Sequence, residues 1–402
     1  MFALRSPVHR LLTMSTSLPW GRAIGQVLVT SALLAGLSSL ALRSSKAHGD
    51  DLVQDYVSAR AWLDGESPYR PLGELRQRAG FPPVPGHVLV RHNPHPPGAV
   101  LLTVPFAGAD FGTALTLVRG AQILALAIAW AVAYRLFAPP VPWWAWAAAG
   151  GVFGLWAPFW QGLDWGQPVG VLALAVAVLW ALARAERPVA FGFVLGLACT
   201  VRPFFAILCV VAAGWPPRRA LLAAGAAAVG GALPFALCRV WPWDWLRLAT
   251  EAGGYVAEAG SAPGVLGLGT GGGVVLYAAA AVVLAYVRRR GLATDPTLAL
   301  AATAAMLTYP LAWFQYDVSL IPVVAWVAVG AHRTGSRFAV WALVGYLALR
   351  AIPDVIPDPN GTGLVDAIGR AKGWVQLAAR SLPLAAGVAL ARRPAVSASA
   401  PS

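Results

Sequence analysis

Apolar runs of bilayer-spanning length recur along the chain, and they constrain its fold more than any other feature. Only 12% of the 402 residues are charged, whereas 58% are hydrophobic and the mean hydropathy is +0.64. A soluble domain carries about a quarter charged residues, so lipid is the expected solvent. Ten segments approach the ~20 residues of a transmembrane helix: 23–42, 112–137, 142–158, 166–184, 219–237, 271–287, 296–313, 316–331, 337–352 and 373–391. We therefore expect an all-α polytopic membrane bundle, with residues 1–402 forming one membrane domain.

The first apolar run and the cysteines fit this class of protein. Three arginines precede the run 23–42, as they would in a signal peptide, but the run is near full spanning length and no convincing cleavage site follows. We expect an uncleaved first helix. The cysteines lie in or at the ends of apolar runs without metal-ligand spacing, and we interpret them as buried thiols rather than disulfide or metal partners: Cys199, Cys209 and Cys238.

Short basic clusters separate many of the runs and predict how the chain threads the membrane. A net charge of +13 would favour a nucleic-acid partner in a soluble protein, but here the clusters are a topology signal and we expect no nucleic acid. The clusters that should face the cytoplasm are 184–187, 218–219, 288–290, 333–337 and 392–393. Both termini then lie in the cytoplasm, where 393–402 should form a disordered tail.

The apolar stretch 188–214 is interrupted by Arg202 and Pro203. If it crossed the membrane once, the basic clusters around it would lie on opposite faces. We therefore predict a re-entrant segment that enters and leaves on the cytoplasmic side. Each arm of about 12 residues would rise about 18 Å, short of a hydrocarbon core of about 30 Å.

This threading predicts that the long loops and most remaining acids share the outer face. The loops are 43–98, 159–165, 238–270, 309–317 and 353–372. Such asymmetry suits an enzyme with its active site at the outer membrane surface. No repeat relates the two halves, which weakens but does not exclude a transporter built from duplicated bundles.

The first outer loop, 43–98, contains the amphipathic sequence HGDDLVQDYVSARAWLDGESPYR. We predict a helix that Asp51 opens through a capping box with Gln54 and that Gly65 ends. At 100° per residue one polar stripe carries Gln54, Asp55, Ser58 and Trp62. The helix should lie at the interface with this stripe facing a cavity or water. From this stretch alone, Asp55 is either a solvated surface acid or the working group of an enzyme.

The loop RHNPHPPG (91–98) should hold histidines beside the same surface. Its three prolines stiffen it, so His92, Asn93 and His95 should lie near Asp55. The alternative for His95 is a loop histidine bonded to a backbone carbonyl. A divalent cation on these histidines and Asp55 would lack any known metal-site spacing, so we expect no metal and no other cofactor.

Six short motifs in order resemble glycosyltransferase family 87. They are Asp55–Tyr56, GESPY (65–69), Pro96–Pro97, WGQ (165–167), Arg202–Pro203 and YPLAW (309–313). The resemblance covers about residues 23–330. It implies a GT-C fold and the activities of that family, which includes polyprenyl-phosphate-mannose-dependent mannosyltransferases and arabinofuranosyltransferases of the actinobacterial envelope.

The resemblance implies transfer of mannose, or a pentose such as arabinofuranose, from a polyprenyl monophosphate carrier. The acceptor would be an envelope glycolipid or glycan on the outer, periplasmic face of the bacterial plasma membrane. Family enzymes of this type use an acid of the first outer loop as general base, a position that falls on Asp55. An intramembrane arginine is costly unless it is paired, so Arg202 marks a candidate functional site, and its guanidinium can hold two phosphate oxygens. The alternative is that Arg202 contacts carbonyls freed at Pro203 or snorkels to the interface. His95 is the second candidate for the phosphate.

Other positions of the motifs are candidate sugar or acceptor contacts: Gln54, Tyr56, Tyr69, Asp164, Trp165, Gln167, Trp313, Gln315 and Tyr316. Gln315 departs from the family, since many members have a histidine there, and glutamine cannot carry charge or relay a proton. The Trp-rich stretch 239–248 fits an interfacial aromatic belt better than sugar stacking. Two other functions remain open: a transporter of lipid or polyprenol-linked substrates, and a non-catalytic envelope scaffold.

Overall fold

The chain forms an all-α bundle, as the apolar periodicity predicts. The computed structural model describes residues 20–43, 49–82, 91–250, 261–351 and 363–392. It is 81% helical, with no strand in those ranges. The helices are α1 (Trp20–Leu42), α2 (Asp50–Leu63), α3 (Leu72–Arg78), α4 (Pro97–Thr103), α5 (Phe111–Phe137), α6 (Trp143–Val152), α7 (Ala157–Trp165), α8 (Val169–Arg184), α9 (Pro188–Cys199), α10 (Pro217–Leu237), α11 (Pro242–Ala249), α12 (Ala262–Val265), α13 (Gly269–Arg289), α14 (Thr294–Thr308), α15 (Ile321–Thr334), α16 (Arg337–Ala351) and α17 (Gly363–Ala391). The predicted tail 393–402 lies outside the described residues.

Six of the ten predicted crossings are long and apolar enough to span a membrane. They are Gly21–Leu42, Phe111–Phe137, Pro217–Leu237, Gly269–Arg289, Phe314–Thr334 and Gly373–Ala391. The other four segments form the shorter helices α6, α8, α14 and α16, of 10 to 16 residues. A 15-residue helix rises about 22 Å. α14 ends at Thr308, just before Pro310, because a proline disfavours helical conformation in the residue ahead of it. The chain is a polytopic membrane protein.

The stretch 188–214 is folded into two arms around a break. α9 ends at Cys199, and a 3-10 helix covers Pro203–Gly214. α9 then packs closely against α10: a Cβ on Gly192 would lie 2.0 Å from the Ala223 carbonyl oxygen, and one on Gly196 would lie 2.2 Å from that of Ala227. Since both residue numbers rise together along this contact, α9 and α10 run parallel. The 3-10 helix between them therefore returns the chain to the end where α9 began.

Several contacts of basic residues mark that end of the bundle. Arg219 at the start of α10 pairs with Glu186 just before α9. Arg184 at the end of α8 donates from Nε to Asp295 Oδ1 over 2.7 Å. Arg333 at the end of α15 donates to the carbonyl oxygen of Phe137, the last residue of α5, over 2.6 Å. These basic clusters thus lie together, and we call this the basic end.

The first outer loop lies at the opposite end. α10 starts beside Arg219 and finishes at Leu237, whose carbonyl oxygen accepts a 2.9 Å hydrogen bond from Trp62 Nε1 of α2. Its 21 residues separate the two contacts by about 30 Å. α5 likewise begins near α2 and ends at the basic end. One bilayer thickness therefore separates α2 from the basic clusters.

Cysteine labelling tests this arrangement. In a variant lacking Cys199, Cys209 and Cys238, single cysteines at Arg218→Cys and Arg289→Cys should react with an impermeant maleimide from the same membrane face, because both positions adjoin the basic end. Trp243→Cys, 75% exposed beyond the other end of α10, is the control and should react from the opposite face. Labelling of the two arginine positions from different faces would contradict the parallel packing of α9 and α10.

Candidate active site

Asp55 lies in the centre of a buried polar contact between α2 and the loop before α4. It is 6% exposed. Its Oδ1 accepts a 2.9 Å hydrogen bond from Asn93 Nδ2, and His95 Nδ1 lies 3.0 Å from both carboxylate oxygens. Because an ionised carboxylate only accepts, Nδ1 of His95 carries the proton in this contact. Asp55 is therefore not the solvated surface acid that the sequence left open.

Asn93 fixes the histidine loop on the polar stripe of α2. The side chain is fully buried and also contacts the Gln54 carbonyl oxygen at 3.2 Å and Ser58 Oγ at 3.1 Å. Its Oδ1 accepts from the His95 backbone N–H over 2.9 Å. The predicted stripe is thus a contact surface for the loop, and Asn93 sets the position of His95 relative to Asp55.

Two further contacts hold this loop against the rest of the protein. The Tyr69 hydroxyl donates to the His95 carbonyl oxygen over 2.8 Å, and Trp245 Nε1 of α11 donates to that of Pro94 over 3.1 Å. A Cβ on Gly98 would lie 2.6 Å from the Thr200 carbonyl oxygen, so only glycine permits α4 to approach the end of α9 this closely. The loop is therefore anchored directly above the break at residues 200–202.

The surroundings of Asp55 favour its ionised form. Burial by itself would raise the pKa of Asp55, but the charge and hydrogen bond of His95, with Arg202 and Asn93, outweigh burial and hold that pKa below its ordinary value. Asp55 is therefore a carboxylate at neutral pH. Its two oxygens offer about four lone-pair positions, of which these neighbours do not use all. Such a carboxylate can accept a proton from a bound hydroxyl group.

Asp51 has a different role from the one predicted. The prediction that its side chain caps α2 is wrong: the helix starts at Asp50 after the N-cap residue Gly49, and no side chain caps it. Instead, Asp51 Oδ2 accepts a 2.5 Å hydrogen bond from Gln167 Nε2. Burial raises the pKa of Asp51, and His95, Gln167 and Arg202 offset this only in part. Asp51 does not cap the helix because Gly49, with a φ of 85°, turns the chain so that Asp51 faces the bundle.

Arg202 lies at the break between α9 and the 3-10 helix and is 4% exposed. Nε donates to the Tyr316 hydroxyl over 2.9 Å, Nη1 to the Val201 carbonyl oxygen over 2.9 Å, and Nη2 to Gln167 Oε1. No salt bridge joins Arg202 to an acid within the ranges that the structure describes. The guanidinium of Arg202 therefore donates to neutral acceptors. Asp51 is linked to it indirectly, through the side chain of Gln167.

The other predicted sugar contacts divide into two groups. Tyr56 is 1% exposed on the far side of α2, where its ring packs on Phe111 and its hydroxyl donates to the Ala109 carbonyl oxygen. Asp164 lies 3.4 Å from Arg119 Nη2, and its carbonyl oxygen accepts from the Gly49 N–H. These positions favour packing roles for both residues. Trp165, Trp313 and Gln315 are half-buried, and Gln315 directly precedes Tyr316, the partner of Arg202.

The Trp-rich stretch contributes one anchor and two exposed rings. Trp245 bonds to the histidine loop, whereas Trp241 and Trp243 are 72% and 75% exposed. Exposed indole rings at the end of a spanning helix are typical of the aromatic belt at a membrane interface. The belt interpretation therefore fits Trp241 and Trp243 better than sugar stacking does.

A second buried charge cluster was not predicted. Asp317 contacts Arg350 Nε at 2.6 Å and Arg380 Nε at 2.8 Å, and all three side chains are at most 1% exposed. Arg380 also donates to the Trp313 carbonyl oxygen over 2.9 Å. The cluster ties α16 and α17 to the segment that carries Tyr316. Three charged residues within apolar runs were the available signal, since such residues are rarely left unpaired.

Comparison with known proteins identifies the family. The family model described as glycosyltransferase family 87 matches residues 93–313, more than half of the chain. No curated protein and no solved structure matches the chain. The matched region begins at Asn93 and includes His95, Gln167 and Arg202, whereas Asp51 and Asp55 lie outside it, in the first outer loop. The family resemblance seen in the sequence is confirmed: the chain belongs to glycosyltransferase family 87.

Proposed function

We propose that this glycosyltransferase moves a sugar from a polyprenyl monophosphate carrier to an envelope glycolipid or glycan, with Asp55 as the general base. The sugar would be mannose or a pentose such as arabinofuranose, as in the family activities noted above. The observation that carries the proposal is that one buried site holds both an ionised carboxylate, Asp55, and an arginine, Arg202, that makes no salt bridge to an acid in the part of the chain that the structure describes.

The reaction needs these two groups. The acceptor oxygen attacks the anomeric carbon as the bond from that carbon to the phosphate oxygen breaks on the opposite face. The hydroxyl proton passes to Asp55, and the electron pair of the broken bond leaves with the polyprenyl phosphate. General-base catalysis of this kind contributes about 10²- to 10⁴-fold. Because the donor is a phosphodiester, its polyprenyl phosphate is already a good leaving group, so a positive charge near the departing phosphate helps more than a strong acid.

Arg202 has the free donors for such a leaving group. A guanidinium has five N–H bonds, and the structure accounts for three of them. The remaining two, on Nη1 and Nη2, can hold two oxygens of one phosphate. His95 lies on Asp55, in the loop whose last residue, Gly98, packs on Thr200 beside the break that carries Arg202, and it would add a second donor. Both candidates from the sequence therefore support the proposal.

The basic end supports an outward-facing site. Clusters of arginine in short loops lie on the cytoplasmic face by the positive-inside rule. Asp55 lies about one bilayer thickness from them, which would place it on the outer, periplasmic side of the plasma membrane. We propose that 188–214 is re-entrant from the cytoplasmic side and that the bundle is of GT-C type. The polyprenyl chain would then lie in the bilayer while the sugar reaches Asp55.

Asp55→Asn tests the base directly. The variant keeps the shape of the side chain and loses its basicity, so the rate of transfer from labelled polyprenyl-phosphate sugars should fall by about 100-fold or more while the donor KM changes little. Asp64→Asn, an exposed acid at the end of the same helix, is the matched control and should transfer normally. Undiminished transfer by Asp55→Asn at equal expression would remove Asp55 as the base.

His95→Asn separates the roles of His95 and Asp55. Because His95 is the main group that lowers the pKa of Asp55, its removal should let burial raise that pKa. As pH falls, transfer by the variant should therefore be lost at a higher pH than in the wild type, with substantial activity kept at neutral pH. The pH profile of kcat/KM measures this. A loss as complete as that of Asp55→Asn at every pH would instead make His95 the base.

A further inference from the structure

We infer that Asp51 is a positioning residue for the donor phosphate: it orients Arg202 through the side-chain amide of Gln167. The inference rests on the proposed function, since it assigns Asp51 to the site that binds the donor. Asp51 and Asp55 are four residues apart on α2 and so lie on the same face of the helix. One carboxylate faces the histidine loop, and the other faces Gln167 and Arg202.

The orientation of the Gln167 amide follows from its neighbours. A guanidinium has only donors, so the atom of Gln167 that meets Arg202 Nη2 must be the oxygen. The amide nitrogen then faces Asp51 Oδ2 at 2.5 Å. Asp51 therefore has to accept this hydrogen bond. An ionised carboxylate suits this position because it has only acceptors and cannot present a donor to the amide nitrogen. Both hydrogen bonds therefore run in one direction: Arg202 donates to Gln167, and Gln167 donates to Asp51.

The first turn of α2 is held in place for this contact. The Gly49 N–H donates to the Asp164 carbonyl oxygen over 2.7 Å. A Cβ on Gly166 would lie 2.4 Å from Leu52 Cβ, so the turn that carries Gln167 packs directly on α2. Tyr316 bonds Arg202 from the other side. The guanidinium plane is therefore fixed between two partners, Tyr316 on Nε and Gln167 on Nη2.

A double-mutant cycle tests whether Asp51 acts through Gln167. Asp51→Asn removes the charge and allows the amide at position 51 to present a donor to Gln167, so the donor KM should rise about 10- to 100-fold with the acceptor KM unchanged. Gln167→Ala removes the link to Arg202 and should also raise the donor KM. Because Asp51 acts on Arg202 through Gln167, Asp51→Asn should cause little further loss in the Gln167→Ala background.

The same variants are compared for binding of a long-chain polyprenyl monophosphate to the detergent-purified protein, with Asp64→Asn as the charge control. The inference predicts weaker binding by both single variants, and binding by the double variant Asp51→Asn with Gln167→Ala that is no weaker than that of Gln167→Ala alone. Losses that add in the double variant, or an Asp51→Asn defect seen only as lower thermal stability, would overturn the role of Asp51 while wild-type transfer upheld the proposed function. A wild-type protein that neither binds the phosphate nor transfers sugar would overturn both.

Discussion

The positive charge of Arg202 inside an apolar bundle is the constraint on which the arrangement of the site depends. An arginine at the centre of a bilayer costs about 2.5 to 3.5 kcal/mol on insertion scales. Here the guanidinium is held at a helix break by a backbone carbonyl, an amide and a tyrosine hydroxyl, with no salt bridge within the described ranges. The tight packing of α9 on α10 carries the arginine to this depth. A site built this way keeps its charge available for an anionic ligand.

The two acids of α2 show how contacts decide between similar groups. Burial by itself acts to raise the pKa of both Asp51 and Asp55. For Asp55 the charge and hydrogen bond of His95, with Arg202 and Asn93, more than offset burial, whereas for Asp51 the charges of His95 and Arg202 and the hydrogen bond from Gln167 do not. The acid with the lower pKa, Asp55, adjoins the histidine loop and is the proposed base. The side chain of the other, Asp51, accepts a hydrogen bond from Gln167, the partner of Arg202, which suits a positioning role.

The sequence was sufficient for the features that depend on local pattern or residue order. It predicted an all-α membrane bundle of family 87, the stop of α2 near Gly65, and the nearness of His95 to Asp55, because a proline-stiffened loop has few conformations. It assigned Asp51 to capping, because a capping box is a local motif. The actual partner of Asp51 is Gln167, and only the packing of residues 164–167 on α2 brings the two together. Tyr56 is 1% exposed, and the sequence could not show this because the surrounding helices decide which face of a short amphipathic helix is buried. The contacts of Asp317 join residues 33 and 63 positions apart, so no local pattern predicts them.

The most direct measurement is a structure of the Asp55→Asn variant with a polyprenyl-phosphate sugar bound, in a bilayer mimetic. Asparagine at this position should slow transfer enough to retain the intact donor. The arrangement of the site predicts that the phosphate lies on the free donors of Arg202 and that residue 55 faces the anomeric carbon from the side opposite the phosphate. A donor whose phosphate lies away from Arg202, or whose anomeric carbon is out of reach of residue 55, would contradict the proposed mechanism.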